Sequence, residues 1–184
     1  MNSRADRTGP DARETLYLVE RKIDFLILGF FWFNLVFITY TFDLEQLLIQ
    51  DTSDFEYPFW PPAMIIDLAH WWGRNFDPLL MARPMWWVMT IWIDALFFGP
   101  FYVIGIYAFS KGKEWIRIPA VVYASVMITN VTIILGEEFF GAYAAPYPFI
   151  VVAANAAWII FPLIIIARMT AEHPFTRAAR SNSD

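Results

Sequence analysis

The stretch that decides the fold of this chain is MWWVMTIWIDALFFGPFYVIGIYAF, which runs from Met85 to Phe109. It is long enough to cross a bilayer, since a membrane-spanning helix needs about 20 apolar residues in a row. Near its centre lies one carboxylate, Asp94. A charge at this depth costs on the order of 3 kcal/mol or more, so Asp94 is the first candidate for a functional residue.

The whole chain has the composition of a membrane protein. Of its 184 residues, 58% are hydrophobic and only 17% are charged. Four stretches can span a bilayer, at roughly 24–48, 84–109, 118–135 and 148–169. The sequence therefore predicts an all-α fold, a four-helix transmembrane bundle. Its four-span membrane domain covers residues 24–169, with polar tails at 1–23 and 170–184 and no separate soluble domain.

The positive charges predict the orientation. Eleven of the thirteen Lys and Arg residues lie in the two tails, between spans two and three or at the end of span four: Arg4, Arg7, Arg13, Arg21, Lys22, Lys111, Lys113, Arg117, Arg168, Arg177 and Arg180. Only Arg74 and Arg83 lie on the other side. The positive-inside rule therefore predicts a multi-pass protein with both tails in the cytosol. The chain has no cysteine, which excludes disulfides and thiol catalysis, and we predict no metal, cofactor or nucleic-acid partner.

A loop rich in proline and aromatic residues connects the first two spans. Within it, residues 63–74 carry apolar side chains near helical spacing, which predicts a short amphipathic helix in the membrane interface. We interpret His70 on this helix as a surface or packing residue rather than a metal ligand. Asp77 precedes Pro78, which is typical of a turn or a helix cap.

Polar residues inside the spans are few, and they recur at helical spacing. Thr39 and Asp43 in span one are four residues apart, as are Thr90 and Asp94 in span two. In span four, Asn155 and Trp158 come before Pro162. Span three carries a polar stripe with Tyr123 and Asn130 beside it. The stripe consists of Ser125, Thr129, Thr132 and Gly136. These stripes could together line an enclosed pocket, although small polar residues also pack helices together, and for the span-three stripe alone packing is the favoured reading.

The two aspartates suggest chemistry. Asp43 and Asp94 cannot both ionise readily if an apolar pocket brings them together, so we expect one of them to hold a proton. Such a pair could receive a cationic amine, or it could donate a proton to an alkene or epoxide.

Several motifs resemble the EXPERA family, in particular its sigma-2-receptor members. They are DLEQLL at the end of span one, NFDPLL before span two, an acid in span two followed six residues later by Pro100, and YAFSKGKEWIRIPAVVY after it. The resemblance implies a four-helix bundle in the endoplasmic reticulum with an apolar cavity open toward lipid. It places the ligand-pairing acid at Asp43, its partner at Asp94, where the family usually has Glu, and a third acid at Asp77.

The emopamil-binding sterol isomerase of the same family is a partial match. Asn155 and Trp158 resemble the pair that lines its sterol pocket and helps hold a carbocation. The His and Glu that serve the enzyme in its first span fall on Leu35 and Thr39 here. This departure argues against the same double-bond shift by the same residues, but leaves other acid-initiated chemistry open.

Two functions therefore remain open. One is a receptor-like protein that binds a sterol or a lipophilic amine in the bilayer. The other is an isomerase or cyclase that protonates a sterol or terpenoid through Asp43 and Asp94. Both functions are compatible with a homodimer, and both use the same predicted ligand-binding residues. These residues are Asp43, Asp77, Thr90, Asp94, Phe98, Tyr123, Asn130, Asn155 and Trp158.

Overall fold

A computed structural model describes residues 13–178 and confirms the predicted all-α, four-span fold. The helices are α1 (Lys22–Leu48), α2 (Ala63–Asn75), α3 (Pro78–Ala82), α4 (Met85–Lys111), α5 (Glu114–Phe140) and α6 (Pro148–Met169). By length and composition, α1, α4, α5 and α6 can each cross a membrane. Residues 1–12 and 179–184 of the predicted tails lie outside the described residues.

Two of the long helices widen into π-helix near their middle. In α1 the π-helical turns cover Asn34–Asp43, and in α4 they cover Asp94–Phe98. Pro100 follows the second stretch and has no N–H to bond a carbonyl in the preceding turn, which favours a wider turn there. The two π-helical stretches lie side by side. Asp43 and Asp94 therefore come from neighbouring irregular turns, which are common at functional sites.

A glycine lets these two helices approach closely. A Cβ atom at Gly99 in α4 would lie only 2.4 Å from the hydroxyl of Tyr40 in α1. With glycine there, the Tyr40 hydroxyl donates a hydrogen bond to the Ala95 carbonyl at 3.0 Å. This contact fixes one π-helical stretch against the other.

Aromatic packing fills the half of the bundle that is nearer the chain termini. The ring of Phe31 in α1 lies 5.5 Å from Phe109, 5.8 Å from Tyr102 and 5.9 Å from Tyr123, measured between centroids. All four side chains are fully buried. The α6 helix packs mainly against α5. This solid half contrasts with the other half, where the helices enclose open space.

The α2 helix, predicted at 63–74, is present at Ala63–Asn75 and packs against α3 and α1. Of the two predicted settings for His70, surface or packing, the structure shows the second: His70 is buried, and its Nε2 lies 2.8 Å from a carboxylate oxygen of the buried Glu45. Arg83 joins the same group, with its Nη2 2.7 Å from Glu45. The sequence could not indicate this contact, since the three residues come from separate segments. Placement of α2 in a membrane interface stays a prediction.

The described parts of the two tails pair with each other. Strands β1 (Arg13–Thr15) and β2 (Thr176–Ala178) form a small antiparallel sheet. A short 3-10 helix at Leu18–Glu20 comes after β1 and leads into α1. Phe175 lies between two guanidinium groups, 5.1 Å from Arg21 and 5.2 Å from Arg168, and is fully buried. The tails, expected only as polar segments, thus close over this end of the bundle.

Candidate functional site

A cavity of about 350 Å³ lies in the half of the bundle away from the termini. All six helices contribute to its wall, and most of the lining side chains are apolar or aromatic. The lining residues are Phe42, Asp43, Leu68, Trp72, Asp77, Leu80, Trp87, Thr90, Ile91, Asp94, Phe98, Met127, Asn130, Val131, Ile134, Ala154, Asn155 and Trp158. Within residues 13–178, no Lys or Arg side chain lines it.

The structure brings together eight of the nine residues that the sequence singled out. They are Asp43, Asp77, Thr90, Asp94, Phe98, Asn130, Asn155 and Trp158. Tyr123 is outside the wall. It lies one layer behind, with its ring 5.3 Å from that of Phe98 and its hydroxyl 3.3 Å from the Tyr102 hydroxyl.

The polar stripe of span three points the other way. Ser125, Thr129, Thr132 and Gly136 are all exposed on the outside of α5. The stripe therefore neither lines the pocket nor packs against another helix, although packing was the favoured prediction. The threonine hydroxyls donate to carbonyls of their own helix, Thr129 to Ser125 and Thr132 to Ile128. A hydroxyl satisfied in this way can face lipid at little cost, which is why spacing alone gave the wrong face. Among the polar residues that the sequence singled out in span three, Asn130 is the one whose side chain lines the cavity.

Asp43 and Asp94 are adjacent in the cavity wall, and their carboxyl groups are close enough to share a hydrogen bond. Asp94 is 8% exposed, and its Oδ2 has no hydrogen-bond partner among the described residues. Two like charges in contact in an apolar wall repel each other strongly. An arrangement with one shared proton and one negative charge avoids that repulsion and leaves an acceptor and a donor facing the cavity.

A short relay orients Asp43. The indole N–H of Trp87 donates to Gln46 Oε1 at 2.6 Å, and Gln46 Nε2 donates to Asp43 Oδ1 at 3.3 Å. Because the first bond occupies the amide oxygen, the amide N–H₂ must face the carboxylate. Trp87, which also lines the cavity, and Gln46, which is outside its wall, were both absent from the predicted site.

A second relay orients Trp158. Its indole N–H donates to Asn34 Oδ1 at 2.7 Å, and Asn34 Nδ2 donates in turn to the Phe30 carbonyl at 2.8 Å. Asn34 is fully buried. The α-helical part of α6 is interrupted at Ala156, between Asn155 and the turn that leads to Pro162. A proline removes a hydrogen bond from the preceding turn, which agrees with an irregularity at this point.

Asp77 has two roles in the structure. It caps the N-terminus of α3, as the sequence predicted, by accepting a hydrogen bond from the Leu80 N–H. It also lines the cavity, and burial raises its pKa to about 6. Asp77 acts electrostatically on Glu138 of α5, which is 1% exposed and has neither carboxylate oxygen hydrogen-bonded among residues 13–178.

The family follows from a comparison of the sequence with known families. The model of the EXPERA family (EXPanded EBP superfamily) matches residues 64–169, more than half of the chain. The chain belongs to the EXPERA family. Asp77, Asp94, Asn155 and Trp158 lie within the matched range, whereas Asp43 precedes it.

Relatives of this EXPERA protein include sigma intracellular receptor 2 from several animals. The Xenopus tropicalis protein is 34% identical over 119 residues, which cover 64% of this chain and 65% of that protein. The human protein is 27% identical over 157 residues, which cover 78% of this chain and 85% of that protein. The chain is therefore a sigma-2-receptor-like member of the EXPERA family and a multi-pass membrane protein.

Proposed function

We propose that this EXPERA protein binds a sterol or another lipophilic ligand, above all a cationic one, in the cavity between its helices. The adjacent acids Asp43 and Asp94 in a mostly apolar wall carry this proposal. A volume of about 350 Å³ lies within the usual range of small-molecule pockets. The human relative's name, sigma intracellular receptor 2, supports the same reading.

The proposed binding mode assigns different roles to the two acids. Asp43, which accepts a hydrogen bond from Gln46, carries the negative charge that pairs with the ligand's ammonium group. Asp94 keeps the proton and donates it toward Asp43 or the ligand. The apolar body of the ligand packs against Phe98 and Trp158. Because no Lys or Arg of the described chain lines the cavity, the ligand itself supplies the compensating charge.

Equilibrium binding of a cationic amphiphile to purified variants tests this mode. We expect Asp43→Asn to weaken binding by about 30-fold or more, because a desolvated ammonium then lacks its counter-charge. Asp94→Asn should have a smaller effect, since asparagine can still donate a hydrogen bond. A neutral analogue of the same shape is the control and should bind both variants similarly. Equal affinity of wild type and Asp43→Asn for the amphiphile would remove Asp43 from the site.

A catalytic function is the second candidate, and the Trp158 relay favours it. An aromatic ring held by Asn34, in the same cavity wall as a proton donor, is the arrangement that a carbocation intermediate needs. In this proposal the protein is an isomerase or cyclase that protonates a sterol or terpenoid through the Asp43–Asp94 pair.

Membranes fed sterol or polyprenyl substrates would distinguish the two functions. If the protein is an enzyme, Trp158→Leu should slow product formation far more than it weakens binding, because the cation–π contribution appears only as charge develops. Stoichiometric binding without any conversion by the wild type would exclude catalysis on those substrates.

The proposed setting is the endoplasmic reticulum, with both tails in the cytosol. The distribution of Lys and Arg supports this orientation. Accessibility tags placed after Asp184 and in the loop at residues 141–147 should label from opposite sides of the membrane, and labelling from the same side would contradict it. The proposed assembly is a homodimer, and a molecular mass of one chain in detergent would contradict it.

A further inference from the structure

A second cavity lies outside the four spans, between α2 and the loop before it. It has a volume of about 260 Å³. Its wall differs from that of the first cavity because it combines aromatic rings with one charge of each sign. The rings are those of Phe55, Tyr57 and Trp71, and the charges are those of Asp67 and Arg74.

The two charges lie on one face of α2. Asp67 and Arg74 are seven residues apart, which corresponds to two helical turns and roughly 10 Å along the axis. Neither forms an ion pair within the part of the chain that the structure describes. A ligand with a positive and a negative group a few ångströms apart can lie between the two side chains and contact both, because each ion-pair contact spans a few ångströms more.

The aromatic rings surround the acidic end of this face. Tyr57 donates its hydroxyl to Asp67 Oδ1 at 2.7 Å, and the ring of Phe55 lies 5.2 Å from that of Tyr57. The ring centroid of Phe55 also lies 5.1 Å from that of His70, in an edge-to-face arrangement. A hydrogen bond between His70 Nε2 and the carboxylate of Glu45 fixes the orientation of the His70 ring. Aromatic faces together with a carboxylate are the groups that bind quaternary ammonium ions in proteins.

Arg74 provides the complementary group at the other end. A guanidinium binds phosphate through two parallel hydrogen bonds, which a lysine cannot offer. The surroundings indicate where such a phosphate would come from. Met64 and Trp71 on α2 and Phe59 in the loop are at least half exposed, as in segments that lie against a membrane surface.

We propose that this second cavity binds the phosphocholine headgroup of a membrane lipid. The choline group lies against Phe55, Tyr57 and Trp71 with Asp67 as its counter-charge, and the phosphate pairs with Arg74. The acyl chains leave along the exposed apolar side of α2. This inference is independent of the ligand proposed for the first cavity, since the two cavities share no lining residue.

Native mass spectrometry of the full chain in lipid-free detergent tests the proposal. Short-chain phosphatidylcholine, short-chain phosphatidylglycerol and free phosphocholine serve as separate probes. We expect one phosphatidylcholine to bind at least tenfold more tightly than phosphatidylglycerol, which has no cationic group. Free phosphocholine should bind more weakly than the lipid because it lacks the acyl chains.

Variants then locate the site. Asp67→Asn and Arg74→Gln should each weaken phosphatidylcholine binding about tenfold. Glu56→Gln, an exposed acid of the same loop outside the cavity wall, should leave it unchanged. Thermal unfolding followed by circular dichroism verifies that the variants are folded.

Several results would overturn the inference. Equal binding of phosphatidylcholine and phosphatidylglycerol, or no saturable binding, rejects a phosphocholine site and needs only the wild-type protein. Equal affinity for free phosphocholine and for the lipid rejects the lipid as its source. Unchanged phosphatidylcholine binding by both Asp67→Asn and Arg74→Gln would show that the lipid binds outside this cavity.

Discussion

Asp24 and Glu45, near the two ends of α1, differ from Asp43 and Asp94 in the cavity by what surrounds them. Asp24 is fully buried and meets two arginines, Arg21 and Arg168. Glu45 is fully buried and meets Arg83 and His70. Asp43 and Asp94 have no cation beside them among the described residues, and the charged group nearest to the pair is another acid, Glu45. The difference separates carboxylates that hold the fold together from carboxylates left available to a ligand.

The free energy of burial explains why the two kinds of acid coexist. Burying a carboxylate costs several kcal/mol, and a hydrogen-bonded guanidinium offsets most of that cost. At Asp43 and Asp94 no described cation provides the offset, so the pair reduces stability. Groups that reduce stability in this way are typical of functional sites in membranes.

Glu45→Gln should have the largest effect, because it breaks a paired region. The substitution leaves Arg83 buried without its counter-charge, which costs about 3–5 kcal/mol. Unfolding in detergent, followed by circular dichroism, measures the loss. Glu56→Gln, an exposed acid with no ion pair in the described chain, is the control and should change little. A loss below about 1 kcal/mol would show that the pairing at Glu45 does not hold the fold.

Asp94→Asn should act in the opposite direction. It replaces one of two adjacent buried acids by a neutral amide that can still donate a hydrogen bond to Asp43, so we expect stability at neutral pH to rise by on the order of 2 kcal/mol. The same unfolding assay, run beside Glu45→Gln, measures the contrast. Destabilisation comparable to that of Glu45→Gln would mean that the cavity acids are structural as well.

Asp77 provides an intermediate case that pH can test. Its pKa is raised from 3.8 to about 6 by burial, so the folded protein binds more protons than the unfolded protein between these values. Stability should therefore fall as pH rises from about 4 to 7, and about 1.5 kcal/mol of this loss should lie between pH 5 and pH 8.

The matched variant for this pH effect is Asp77→Asn, which keeps a capping side chain and cannot titrate. The wild type should lose stability relative to this variant as pH rises from 5 to 8. A difference that stays constant, or one that has the opposite sign, would contradict the burial effect at Asp77.

Trp87→Phe should have the smallest effect, because it removes one contact of a relay. The loss of the hydrogen bond to Gln46 should cost about 1 kcal/mol of stability. It should also weaken binding of a cationic amphiphile severalfold, since Gln46 can then turn away from Asp43. Trp86→Phe, at the neighbouring position, is the control. Equal amphiphile binding by wild type and Trp87→Phe would show that the relay does not orient Asp43.

Much of the site could be predicted because its residues lie at helical spacing within apolar spans. Thr90 and Asp94 share one face of α4, and Asn155 and Trp158 share one face of α6. Once the cavity-facing side of each helix is correctly identified, both of its residues are predicted to line the cavity. Spacing could not show which way the polar stripe of α5 faces. There, a hydroxyl bonded to its own helix is equally acceptable toward lipid or toward the cavity.

The sequence by itself determined the number of spans, the helix between the first two, the cap at Asp77 and the choice of Asp43 and Asp94. These features depend on local hydropathy, helical spacing and the cost of a charge in hydrocarbon, all of which are properties of short segments. Only the tertiary structure decided which acids are paired, because Asp24 meets Arg168 and Glu45 meets Arg83 across long stretches of chain. Such contacts depend on how whole helices pack, and no local pattern encodes them.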